Sequence, residues 1–289
     1  MHERASSKAT GKDPSTCRWT NRIFRLGILF LIANSFLPTP ILRSSPTSAP
    51  APTPTFRLFP RGSALPSDAT CTAAAAHDAF EPRPRNATAN ATMPSSSFLI
   101  TYKSTVSAGE GGAPSSFLQR ADGQFAGSSD AVLKWASCKW GFDENVTRAT
   151  AVAESHWRQD AIGDVGNGTS LGILQIKSRD YPSTCAAVAA TQNSANATDP
   201  NCYSYRSTSF NADYKLAQQR ACFEGAVGYL RERTPTAGYP AYPNGTADQM
   251  MWGCVGWWYS GGWYDAGSLD YISEVKAYLA AQPWLSSDF

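Results

Sequence analysis

A mostly α domain, preceded by a long segment with no core of its own, is what this 289-residue sequence predicts. Three observations point there. Apolar residues recur at helical spacing through the C-terminal half, with almost no period-two alternation. Eight of the nine tryptophans lie between Trp135 and Trp284, which sets the folded domain at residues 128–289. From Pro38 to Pro66 eight of 29 residues are proline, and the chain stays rich in Pro, Ser, Thr and Ala up to Gly127. Such a stretch has little apolar area to offset its ordering entropy, so residues 50–127 read as a disordered linker.

The elements follow in order. Arg18, Arg22 and Arg25 precede the apolar run Leu26 to Leu37, after which small residues and prolines follow. Twelve residues fall short of the roughly 18–20 that cross a bilayer. Residues 1–49 therefore read as a secretory signal cut near Ala49, with no stable membrane span and a secreted product. Phe98 to Val106 has some strand character. Ser129 and Asp130 can cap a helix that runs to Trp140 and stops at Gly141, and Asp143 can cap the next, through Arg158. Asn211 begins a long helix carrying Leu216, Phe223, Val227 and Leu230. Met250, Cys254, Trp257 and Trp258 line another, and Ser268 caps the last, whose stripe is Ile272, Val275 and Leu279.

Charge and cysteine usage narrow the function classes. The net charge of +2 hides an uneven split: residues 130–289 carry 12 basic and 16 acidic side chains, a net −4 that suits no polyanion, so nucleic acid is not an expected partner. Six cysteines lie beyond the targeting segment, with no CxxC pair, and of three histidines only His156 falls in the domain. No metal or cofactor is expected from that inventory, and export favours disulfides. Cys185 and Cys202 bracket a polar loop and are the expected bridge; spacing leaves the other pairings open.

The most informative stretch is Ala151 to Ile176. Glu154 stands near a helix end among Ala151, Val152, Ala153 and Trp157, and desolvation there would raise its pKa. A carboxylic acid still protonated near neutral pH is what a glycosidase uses to protonate a leaving oxygen. The plainer alternative is a surface glutamate at a helix end. A cysteine protease built on Cys138 or Cys254 with His156 lacks any nucleophile context.

Four motifs then stand in order: Glu154-Ser155, the run Ser170 to Ile176 (SLGILQI), Trp258 to Gly262 (WYSGG) and Tyr271 to Val275 (YISEV). Together, over about residues 130–284, they resemble the soluble lytic transglycosylase family, related to goose-type lysozymes, which shows E-S, G-L-M-Q, A-Y-N-A-G and a late Y-V-x-x-V in that order. The family's asparagine in A-Y-N-A-G is Ser260 here, and Tyr181 to Phe210 looks like an insertion. The resemblance implies a lysozyme-like fold and a monomeric, cell-wall-associated enzyme that cuts the MurNAc-GlcNAc β-1,4 bond of peptidoglycan glycan strands, with Glu154 as catalytic acid/base. It further implies substrate contacts from Ser170, Gly172, Gln175, Tyr259 and Tyr271, with the Tyr259 hydroxyl beside the glutamate; Trp157 or Trp263 is the aromatic candidate to face the groove and stack on a sugar ring. Gly172 would let the backbone approach the sugar, and Gln175 offers both donors and acceptors.

The transglycosylases need one carboxylate, because the muramoyl 6-hydroxyl itself closes onto the anomeric carbon. A hydrolase of the lysozyme type needs a second, and Asp164 or Asp160 is the candidate. A noncatalytic wall-binding module is the alternative from another class, and a raised-pKa acid has no use there.

Overall fold

Hydroxyl and carboxylate caps start the helices close to where the sequence puts them, in a computed structural model that describes residues 57–185 and 201–289. The chain is mostly helical. The N-terminal part carries α1 (Asp68–Ala75), α2 (Ala87–Ala91), α3 (Ser96–Thr105) and α4 (Ser115–Leu118). There follow α5 (Ser129–Trp140), α6 (Glu144–Ser155), the short strands β1 (Ile162–Gly163), β2 (Ser170–Leu171) and β3 (Ile176–Lys177), and then α7 (Tyr203–Arg206), α8 (Thr208–Phe223), α9 (Ala247–Ser260) and α10 (Ala266–Ala281).

Ser128, one residue ahead of the expected Ser129 and Asp130, caps α5 by accepting from the Ala131 amide, and Gly141 ends it at φ +70°. Asp143 caps α6 through the amides of Asn145 and Val146, and His156 ends it in the left-handed conformation, short of the expected Arg158. Ser207 caps α8, ahead of the expected Asn211. That helix stops at Phe223, so Val227 and Leu230 are buried in the turn beyond it. α10 takes Asp265 as its cap rather than Ser268, whose amide donates to the Asp265 carboxylate.

Residues 57–127 are not a linker. The prolines and small residues masked a helical stripe at four-residue spacing: Phe98, Tyr102 and Val106 lie on one side of the chain segment expected as a strand, which is α3 and the turn after it. Phe98 and Tyr102 pack their rings on Phe210 of α8, each with centroids 5.2 Å apart. Burying each such side chain contributes about 1.5–3 kcal/mol. The Cys71–Cys138 disulfide fastens α1 to α5. The packed unit therefore begins well before residue 128, while the targeting segment and its cleavage point lie outside the described residues.

Cys185 and Cys202 are bonded as expected, and Cys222–Cys254 joins α8 to α9. No helix among the described residues is long and apolar enough to cross a membrane.

At the centre lies α8, every residue of which is buried, charged ones included. Its charges are met in different ways. Asp213 accepts from Lys139 Nζ, Trp140 Nε1 and the amides of Asp122 and Gly123. Arg220 donates to the carbonyls of Phe59 and Pro60 and pairs with Glu224. Lys215, wholly buried, donates only to Gln219 Oε1 and makes no ion pair among the described residues.

Candidate active site

The last turn of α6 delivers Glu154 to the side of a groove of about 780 Å³. Ser155 fixes that turn: its hydroxyl donates to Ile173 O at 2.8 Å and accepts from the Arg158 amide. The E-S pair thus has a physical reason, since the serine ties the helix end carrying the acid to the turn between β2 and β3. That turn is held from below. Gln159 Oε1 accepts from the Ile173 amide, and Asn211 accepts from the Leu174 amide while donating to Leu171 O.

The three strands form one antiparallel sheet in which Gly163 pairs with Ser170 and Ser170 with Lys177. Because side chains alternate across a sheet, this row faces one way, and all three residues line the groove. The other row contains the buried Leu171 and Ile176. The opposite wall comes from the end of α9, with Trp257, Trp258 and Tyr259, and from α10, which presents Tyr271 and Glu274 one helical turn apart.

Several expected site residues are therefore brought together: Glu154, Ser170, Gln175, Tyr259, Tyr271 and Asp164 share the groove. Ser170 donates to Asp164 Oδ2 at 2.8 Å, and Lys177 pairs with the same oxygen at 3.4 Å. Gln175 spends its amide nitrogen on Gly172 O at 2.8 Å and Ala161 O at 3.3 Å, so it braces the turn as well as lining the groove.

Four expectations change. Trp157 is fully buried: its indole nitrogen donates to Arg148 O, and its ring packs on Trp284 and Phe289, so it meets no ligand in the groove. Gly172 faces inward. A Cβ there would lie 2.3 Å from Asn211 Nδ2 and 2.5 Å from Ser204 O, and φ is +79°, so glycine serves close packing on α8 rather than approach to a sugar. Asp160 is exposed and does not line the groove. The hydroxyl beside Glu154 belongs to Tyr271, whose O–H donates to Glu154 Oε1, while Tyr259, 64% exposed, stacks flat on the Tyr271 ring at 4.8 Å.

Burial pushes the Glu154 carboxyl up to about 7. The donation from Tyr271 and the charge of Lys215 act in the opposite sense, and the negative charges of Glu274 and Asp164 add to the rise. Lys215 lies beneath the groove; burial holds its pKa well below the usual lysine range, and Glu154 partly offsets this. Its ammonium is 5.8 Å from the ring centre of Trp258, which itself lines the groove. Such a carboxyl can give up a proton near neutral pH and take one back.

Lys215, Glu274, Tyr181 and Tyr229 are not among the expected site residues. Two of them carry a signal in the sequence: Glu274 stands three residues after Tyr271 on one helix face, and Tyr181 opens the segment that looks like an insertion. No protein-family model, curated protein or solved structure matches this chain.

Proposed function

We propose that the chain is a secreted, monomeric enzyme of lysozyme-like fold that cleaves the MurNAc-GlcNAc β-1,4 bond of peptidoglycan glycan strands, acting as a lytic transglycosylase. One observation carries this reading: a half-buried glutamate with a pKa raised to about 7 stands in an open groove and is held by a single phenol. The motif order around it supports the choice of substrate. Three disulfides are compatible with an oxidising compartment outside the cell.

The Glu154 carboxyl gives its proton to the glycosidic oxygen as the bond from that oxygen to the anomeric carbon breaks. The resulting carboxylate, stabilised by the Tyr271 hydroxyl and the Lys215 charge, takes the proton from the muramoyl 6-hydroxyl as its oxygen bonds to the same carbon. The cycle restores protonated Glu154 and leaves a 1,6-anhydromuramoyl end. The nucleophile is already tethered to the reacting sugar, which lowers the entropic part of the barrier.

One observation favours a second reading. Asp164 lines the same groove, and in a hydrolase it would activate a water. Its engagement by Ser170 and Lys177 fits a structural carboxylate instead. Clearing of a suspension of purified cell walls tests the proposal: the wild-type protein lowers turbidity and Glu154→Gln does not. Walls that bind the protein without clearing would point to a noncatalytic module, and clearing by the Gln variant would remove Glu154 from the chemistry.

A further inference from the structure

We infer that the turn from Gly109 to Ala113 closes one end of the groove, so that the protein works from the ends of glycan strands rather than at interior bonds. This rests on the glycan-cleaving reading above and adds to it which bonds are reached. The turn belongs to the segment that the sequence presents as a linker, yet its Gly111 lines the groove.

Two tyrosines from opposite sides meet that turn. Tyr181 follows β3, and Tyr229 lies in the turn after α8; both line the groove. A Cβ on Gly111 would fall 2.3 Å from Tyr181 Cε1, and one on Gly112 would fall 2.9 Å from Tyr229 Cε1. The two glycines, at φ +61° and +87°, thus fill the gap between the rings with bare backbone. Each ring is fixed to the α9 wall. Tyr181 stacks on Trp258 at 5.3 Å, and the Tyr229 hydroxyl accepts from Trp257 Nε1 at 2.6 Å.

The turn is anchored rather than free to swing. Its ends pair through Glu110 N to Ala113 O and Ala113 N to Glu110 O, at 3.1 and 2.9 Å. The Glu110 carboxylate accepts from the Ser183 amide at 3.0 Å, from the Ser183 hydroxyl and from the Tyr214 hydroxyl, and Gln218 donates to Glu110 O. A polymer cleaved at interior bonds must leave the groove at both ends. Here one end meets a wall of two aromatic rings and fixed backbone, so a strand terminus seats against it and Glu154 cuts at a set number of sugars from that terminus.

The test is the length of the products formed early in digestion of long, purified glycan strands by the wild-type protein, separated by size. One short product class should exceed intermediate lengths by at least about tenfold, the ratio that ~1.4 kcal/mol of differential transition-state binding gives, while the residual strands stay long. Products of all lengths, with a rapid fall in mean strand length, would overturn the inference and leave the glycan-cleaving reading intact. Absence of any cleavage would refute both. Glu110→Ala frees the turn by removing the acceptor of three donors, and its products should broaden in length. A single product length retained by a variant with an unchanged circular dichroism spectrum would show that the turn is not the wall.

Discussion

The Tyr271 hydroxyl donates to Glu154 Oε1 across 117 residues of sequence, joining the helix that carries the acid to the last long helix of the domain. Replacing it by Phe removes a hydrogen bond that favours the charged carboxylate. Bonds to charged groups contribute about 1.5–3 kcal/mol, which as lost transition-state stabilisation is about ten- to a hundredfold in rate. Tyr271→Phe should slow wall lysis by that factor and move the alkaline limb of the pH profile to higher pH. An unshifted limb would show that the phenol does not act through Glu154.

Glu154→Gln should abolish lysis; retention of more than about a tenth of the rate, a loss under ~1.4 kcal/mol, would contradict the assignment. Stability should respond to pH in a definite sense. The folded pKa of about 7 exceeds the ordinary 4.5, so the folded state holds the proton more tightly, and the stability this brings is present below 4.5 and lost as pH rises through 7. The melting temperature of the Gln variant should therefore gain on wild type between pH 5 and 7. A constant difference across that range would place the carboxyl in water.

Lys215→Met removes the buried cation whose charge favours ionised Glu154. The alkaline limb of activity should move to higher pH, because the protonated acid persists further. At pH 6, where Glu154 is largely protonated, the variant should melt no lower than wild type, since a buried ammonium with a single acceptor carries a desolvation cost that Met does not. A clear loss of stability at that pH would mean that the lysine is held by contacts beyond Gln219.

The Cys71–Cys138 disulfide is the covalent tie between the N-terminal helices and the body of the domain. Serine at both positions should cost about 2–4 kcal/mol and open the chain near α1 to limited proteolysis. Peptide mapping without reduction should recover this pair together with Cys185–Cys202 and Cys222–Cys254. An α1 segment as resistant as before would mean that packing alone retains it.

Local signals made the helical body legible. Asp143 and Gly141 act through backbone atoms within four residues of themselves, so the start of α6 and the stop of α5 could be read directly, while the α5 cap falls on Ser128, one residue before the expected Ser129. α3 was not, because its apolar stripe sits in Pro- and Ser-rich surroundings and is stabilised by Phe210, more than a hundred residues away. Glu154 was legible as an acid among apolar neighbours. Its partner was not: the YISEV and WYSGG motifs each offer a tyrosine, and the packing of α10 on α6 decides for Tyr271. From the sequence Gly172 is an opening to ligand, and only the approach of Asn211 and Ser204 shows it to be a packing glycine. Lys215 gave no sign, because a lysine in a helix normally reaches water, and here α8 has none of its residues at the surface.

The most direct measurement is mass spectrometry of the sugar ends produced by the wild-type protein and by Asp164→Asn. A single acid acting with the substrate's own hydroxyl predicts 1,6-anhydromuramoyl ends, lighter by one water than reducing ends, from both proteins. Reducing ends from wild type, together with an inactive Asp164→Asn, would contradict it and establish a two-carboxylate hydrolase.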